Sequence, residues 1–253
     1  MIELNKNYCM DNITGMTMIP DEFIDLTVTS PPYDDLRKYE GYSWDFEKLT
    51  QELYRVTKHS GVVVWVVGDK TVKGSETGSS FKQALYFKEI GFNLHDTMIW
   101  EKTAMLPTQD RYYNIFEYMF VFSKGKPNAM NFIEDKPNVG GGRVQKKDAC
   151  INKGKQKDGN GTFVRKEVGR RTNIWRIPIG KNKETNGHPA PFPEQLAEDH
   201  ILSWSNRGDI VLDPMCGSGT TCKMAAKNGR QYIGIDISKE YCEIACSRTE
   251  DAK

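Results

Sequence analysis

Two stretches of this 253-residue chain combine residue types that do chemistry with a placement that would bring them to one ligand. Asp213-Pro214-Met215-Cys216-Gly217-Ser218-Gly219-Thr220-Thr221 and Thr29-Ser30-Pro31-Pro32-Tyr33 each follow a short apolar run with the character of a β-strand. In an open α/β sheet ligands bind in the crevice beyond the carboxyl ends of the strands, so loops about 180 residues apart can face the same molecule. Gly217 and Gly219 permit a tight turn and a close backbone approach, and a helix starting near Thr220 would offer free amides. Asp236 follows at the end of the next apolar run, where a carboxylate can take both hydroxyls of a ribose. Cys222 stands where the dinucleotide fingerprint has its third glycine. Asp213, at a strand end, would repel a pyrophosphate yet pair with the amino group of an aminoacyl nucleoside. S-adenosylmethionine carries that amine and no phosphate.

The N-terminal loop has the complementary chemistry. To methylate an exocyclic amine, its nitrogen lone pair must be drawn out of conjugation with the ring, and acceptors placed around the N–H groups do this. A loop stiffened by Pro31 and Pro32 can present the Ser30 side-chain oxygen and the Pro31 carbonyl to the two hydrogens. Tyr33 can then stack on a base rotated out of its duplex. The implied reaction is direct in-line attack of the amine on a sulfonium methyl, with no covalent base intermediate, no cysteine nucleophile and no dedicated base for the released proton.

These loops need strands and helices to hold them. Residues 23–29 read as a strand stopped by the two prolines. Phe46, Leu49, Leu53 and Val56 fall at helical spacing, and Val62 to Val67 form a continuous apolar run typical of a strand buried on both faces. Residues 81–90 read as a helix, and 97–100 and 115–122 as strands forming an antiparallel edge hairpin. From Ser123 to Arg171 the periodicity dissolves into Gly, Lys, Asn and Asp, so a long functional or disordered loop is expected there. Helix 194–204, strand 210–212, helix 220–228, strand 232–235 and helix 238–248 complete a βαβ series. The expected fold class is α/β, one domain with an insertion, and a chain of this length buries a sizeable core.

The formal charge of +1 hides a basic stretch, since Arg143 to Arg171 holds ten Lys or Arg residues against three acidic ones. The six cysteines form no Cys-x-x-Cys pair and the four histidines show no metal-ligand spacing, so reduced thiols and no metal are expected. With no apolar run of membrane-spanning length and no signal pattern, a soluble cytoplasmic protein is expected.

The two motifs in this order resemble the β-class amino-methyltransferases of DNA, in which Ser-Pro-Pro-Tyr precedes Asp-Pro-x-x-Gly-Ser-Gly-Thr-Thr. The similarity runs over nearly the whole chain. It implies a Rossmann-like methyltransferase fold, mostly parallel, with S-adenosyl-L-methionine as cofactor and a prokaryotic or phage origin. It implies a catalytic half at 1–102, edge strands with a target-recognition insertion at 103–172, and a cofactor half at 173–253. Tyr8-Cys9-Met10-Asp11 takes the place of the family's Gly-Asp pair, which assigns Asp11 to the cofactor adenine. His188-Pro189-Ala190-Pro191-Phe192-Pro193 is similar to the family's His-Pro-x-x-x-Pro segment, which puts Pro191 and Phe192 near the methionine end. Met215-Cys216 replaces the usual Phe plus small residue.

Double-stranded DNA is the implied partner, with a homodimer and a cognate restriction endonuclease as further expectations of the resemblance. Arg143, Lys146, Lys147, Arg165, Arg170 and Arg171 are candidates to neutralise phosphates. Arg37 and Lys38 beside the catalytic loop, and Lys102 at an edge strand, are candidates for phosphate or the flipped nucleotide. Ser-Pro-Pro-Tyr is the version commonest among cytosine-N4 members, which favours cytosine N4 over adenine N6. The residues themselves leave the two open, because both bases present an amine beside a ring nitrogen. Methylation of RNA or of a protein glutamine fits less well, since the Asn-Pro-Pro-Tyr enzymes place the cofactor motif first. A catalytically silent DNA-binding module is the alternative of another class, and both intact motifs count against it.

Overall fold

The computed structural model describes residues 2–32, 45–103, 110–146, 150–152, 155–157, 162–179 and 192–252. It divides into a large unit, Met1–Asn131 with Asn173–Lys253, and a small one, Phe132–Thr172.

The large unit is built on an eight-stranded sheet. Its strands are β1 (Lys6–Cys9), β2 (Ile24–Thr29), β3 (Thr57–Val67), β4 (Asn93–Glu101), β5 (Phe116–Ser123), β6 (Ile174–Arg176), β7 (Ile210–Asp213) and β8 (Gln231–Asp236). Their spatial order is β1-β8-β7-β2-β3-β5-β4-β6. Only β5 runs against its neighbours. The helices are α1 (Asn12–Thr17), α2 (Phe46–Val56), α3 (Ser79–Glu89), α4 (Glu194–Trp204), α5 (Thr220–Lys227) and α6 (Lys239–Glu250).

Both faces of the sheet are covered, which is why its central strands are apolar throughout. Val62, Val64 and Val66 of β3 join Leu26, Val28 and Val211 in a core closed by Leu196, Ala197 and Ile201 of α4 and Met224 and Ala225 of α5. Val63, Trp65 and Val67 face the other way, against Leu49 and Leu53 of α2 and Phe87 of α3. The polar residues that punctuate these elements act as caps. Asp45 accepts from the Lys48 amide at 3.1 Å to start α2, and Ser238 accepts from the Tyr241 amide at 3.4 Å to start α6.

The antiparallel pair expected at the edge is present as β4 and β5 in a mostly parallel sheet, but β6 adds outside β4, with Trp175 opposite Trp100. At three residues, β6 is too short to show a period. β1 is equally hard to read, since Lys6 and Cys9 are exposed and its pairing with β8 is a matter of backbone register.

From β7 the chain passes through α5 to β8 on one side, and from β2 through α2 to β3 on the other. The direction of winding therefore reverses between β7 and β2. That is where an open α/β sheet opens a crevice.

The small unit corrects the expectation of a structureless loop. Glu134–Pro137 pairs antiparallel with Val168–Arg170, Val144–Lys146 with Thr162–Val164, and Cys150–Asn152 with Lys155–Lys157. The three pairs are nested in sequence, a ribbon of three short two-stranded pieces. Its described side chains are largely exposed, Val144, Phe163 and Val164 included, which is why no alternation of apolar and polar residues announces it. Within the expected 103–172 insertion, β5 belongs to the large sheet and the small unit begins at Phe132.

Candidate active site

The crevice between β7 and β2 is lined by the two motifs. Val211 and Leu212 pair with Leu26 and Thr27, which sets the ends of the two strands side by side. The Thr29 hydroxyl donates to Asp213 Oδ1 at 2.8 Å. One buried hydrogen bond thus joins motifs lying 184 residues apart.

Asp213 is only 5% exposed. Burial pushes its carboxyl up to about 6. Hydrogen bonds from Thr29, Thr221 and the Met215 amide oppose that rise, and the nearby Asp236 charge adds to it. Among the described residues no lysine or arginine forms an ion pair with it. Near neutral pH it is a largely dry, hydrogen-bonded carboxylate.

The loop after Asp213 is set by its glycines. Gly217 and Gly219 have φ of 49° and 77°, in the left-handed region. The Cys216 amide donates to Ile235 O at 2.9 Å and the Gly219 amide to Cys216 O at 2.8 Å, closing the turn from which α5 departs. Asp236 ends β8 and accepts from the Gly217 amide at 2.8 Å and the Ser238 amide at 2.9 Å. Each carboxylate oxygen keeps capacity for a further hydrogen bond. Burial shifts Asp236 upward as well.

Asp11 has a structural task that its motif did not announce. Its Oδ1 accepts from the Thr14 amide at 2.9 Å and the Thr14 hydroxyl at 3.1 Å, capping α1. The Met10 amide donates to Asp236 O at 2.9 Å, which brings Asp11 next to the end of β8. Phe192 meets Trp100 edge-on, with ring centroids 6.5 Å apart. Pro31 is buried, and Ser30 and Pro32 are half-buried at the exit of β2. Pro214, Ser218 and Thr220 are buried, and Met215 packs partly against the core.

Cys216 and Cys222 converge on Gly234, where a Cβ would lie 3.1 Å and 2.7 Å from their sulfurs. The hydrogen bond that Cys216 donates to Cys222, together with burial, pushes the Cys216 thiol well above its ordinary value, so it stays protonated. Cys216→Ala is expected to retain methyl transfer within about threefold, as a buried neutral thiol is no nucleophile. Loss of transfer with cofactor affinity intact would contradict this.

The predicted cations are not equivalent. Lys102 is largely buried, pairs with Glu117 at 2.9 Å and lies 6.0 Å from the Trp100 ring centre, so its charge is already committed. In the small unit, Arg171 pairs with Asp135, its Nε donating at 2.8 Å. Arg170 stacks over Phe132 at 4.4 Å. Arg143 is exposed, Arg165 half-buried, and Lys146 lies in a ribbon strand. Tyr33, Arg37, Lys38, Lys147 and Pro191 lie outside the described residues. Among the described residues no group of three or more His, Cys, Asp or Glu could hold a metal, and no helix is long and apolar enough to cross a membrane.

Comparison with known proteins agrees in kind with this geometry. A family model described as DNA methylase matches residues 24–247. The chain is 62% identical over 241 residues to the orphan methyltransferase M.BamHII of Bacillus amyloliquefaciens, covering 92% of this chain and 91% of that protein. The cytosine-N4-specific PvuII DNA methyltransferase superposes with a TM-score of 0.70 at 20% identity, covering 96% of this chain and 85% of that one. A putative DNA modification methylase of Thermus thermophilus, solved in complex with S-adenosyl-L-methionine, superposes with a TM-score of 0.66 at 23% identity, covering 98% and 93%. At these identities the two structures establish the Rossmann-like fold.

Proposed function

This chain belongs to the DNA methylase family, and from that premise we propose that it moves the methyl group of S-adenosyl-L-methionine to the N4 amine of a cytosine flipped from duplex DNA. The observation that carries the reading is the Thr29–Asp213 hydrogen bond, because it sets a buried carboxylate, without an ion-pair partner among the described residues, against the strand that delivers Ser30-Pro31-Pro32. Adenine N6 is the second reading, since the same acceptors can hold either amine.

The site's residues suit the cofactor. Asp213 pairs with its amino group, Asp236 accepts the ribose hydroxyls, and the backbone from Met215 to Gly219 lines the turn between them. Asp11, with Oδ1 engaged in the cap, would keep Oδ2 available for the adenine. Phe192 flanks the methionine end. Bound there, the cofactor supplies an electrophilic methyl on a sulfonium. Ser30 and the Pro31 carbonyl accept the two N–H groups of the target amine and localise its lone pair for attack, and Tyr33 stacks on the ring. The basic ribbon supplies phosphate contacts, with Arg143, Arg165 and Arg170 ahead of the ion-paired Arg171 and Lys102. The orphan status named for the Bacillus amyloliquefaciens relative favours action without a dedicated nuclease. Light scattering of the purified chain, read for a mass of two copies, tests the homodimer.

Blocked DNA separates the two bases. Duplexes synthesised with N6-methyladenine throughout should remain substrates, and duplexes with N4-methylcytosine throughout should accept little label. The opposite pattern would transfer the assignment to adenine.

A pH dependence follows from Asp213. Cofactor binding needs its ionised form, so affinity should fall as pH drops through about 6. Calorimetry should find binding about tenfold weaker at pH 5 than at pH 7. The folding linkage has the opposite sign. The folded chain holds the Asp213 proton to a higher pH than the unfolded chain, so this group's contribution to stability falls as pH rises from the ordinary value of 3.8 to about 6. A flat binding profile from pH 5 to 7 would remove Asp213 from the amine contact.

A further inference from the structure

Arg248 lies on the last turn of α6, more than twenty residues beyond the cofactor motif, and its side chain is 5% exposed. Its Nη1 donates to Ser218 O at 2.6 Å and lies 3.1 Å from Ser218 Oγ and 3.2 Å from Thr220 Oγ1. Its Nη2 donates to Glu194 Oε1 at 2.9 Å. Glu194 is the first residue of α4, directly after Phe192-Pro193, and the same oxygen accepts from Lys223 of α5 at 2.9 Å. One guanidinium therefore ties together the turn after β7, the start of α5 and the root of the segment carrying Phe192.

The packing around it leaves little slack. A Cβ on Gly219 would fall 2.7 Å from the Ala245 Cβ, so α6 presses on the turn one helical step from Arg248. Holding the Ser218 carbonyl fixes the orientation of the 218–219 peptide, whose Gly219 amide closes the turn on Cys216. Burying a guanidinium is costly unless its donors are met, and here Nη1 meets the backbone and hydroxyls of the cofactor turn and Nη2 the Glu194 carboxylate.

We propose that Arg248 is a positioning residue for the cofactor, acting through Ser218, Thr220 and Glu194 to hold the turn after β7 and the Phe192 segment at a fixed separation. The inference rests on the assignment of that turn to S-adenosyl-L-methionine. It separates binding from chemistry, because Arg248 acts on the cofactor turn and on Glu194, through Ser218, Thr220 and the Glu194 carboxylate.

The test is calorimetric titration of the full chain with S-adenosyl-L-methionine, alongside steady-state transfer to duplex DNA. Arg248→Met should raise the cofactor Kd about 10- to 100-fold, the scale of lost charged hydrogen bonds. The kcat at saturating cofactor should stay within about threefold and the KM for DNA should not move, a split that general loosening of the fold would not produce. Arg248→Lys keeps the charge but cannot reach Ser218 and Glu194 together, so it should recover part of the affinity, with a Kd about three- to tenfold above the parent. If the methionine variant fails to fold, the lysine variant decides by the same split. An unchanged Kd in whichever variant decides, or a fall in kcat matching the rise in Kd, would overturn the proposal while leaving the cofactor assignment standing. Failure of the parent chain to bind S-adenosyl-L-methionine would remove that assignment and this inference with it.

Discussion

Asp213→Asn is expected to keep the chain folded and raise the cofactor Kd about 100- to 1,000-fold. Asparagine has nearly the same shape, and its side-chain oxygen can still accept from the Thr29 hydroxyl and the Met215 amide, as Asp213 does at 2.8 Å and 3.2 Å. What disappears is the charge. Breaking a desolvated ion pair from one side costs about 3–5 kcal/mol, because the remaining charge is left without its partner. In the free protein the balance runs the other way, since burial disfavours the Asp213 anion and the neutral amide carries no such penalty. The variant should therefore melt in urea no earlier than the parent at pH 7. A Kd within threefold of the parent would mean that the cofactor amine is held elsewhere.

Ser30→Ala should act on the other half of the reaction. It removes one of the two acceptors assigned to the target amine and leaves the Pro31 carbonyl, which no substitution of a side chain removes. A preorganised group aimed at charge that develops in the transition state is typically worth about 10²- to 10³-fold in rate. The single-turnover rate of methyl transfer should fall by that amount, with cofactor Kd unchanged because the hydrogen bonds that hold Asp213 come from Thr29, Thr221 and the Met215 amide. Equal rates for variant and parent would exclude Ser30 from the chemistry. A parallel rise in cofactor Kd would point instead to a shared structural role.

The parts of this molecule that were legible from the sequence are those in which a local pattern has one physical outcome. Val62 to Val67 has to be a strand buried on both faces, and it is. Asp213 to Thr221 has to be a strand, a tight turn and a helix start, and the positive φ of Gly217 and Gly219 is the reason. What escaped depends on partners distant in sequence. A threonine closing a β-strand is ordinary, and nothing local to Thr29 announces that its hydroxyl meets Asp213. Lys102 reads as a free cation until Glu117, two strands' length away in sequence, neutralises it. Asp11 fits a cofactor motif and a helix cap equally well, and the cap is the contact seen. The paired segments between Glu134 and Arg170 leave apolar and polar side chains alike exposed, so they have no hydrophobic alternation to read. Arg248 gave no signal beyond being a basic residue near the end of a helix, a position that ordinarily serves the helix dipole.

This crevice is expected to methylate an exocyclic amine directly. The most direct measurement incubates the purified chain with methyl-labelled S-adenosyl-L-methionine and mixed-sequence duplex DNA, digests the product to nucleosides and identifies the labelled species by chromatography and mass. The label should appear in N4-methylcytosine. Label at a ring carbon as 5-methylcytosine, or no labelled nucleoside from a chain that binds the cofactor, would contradict it.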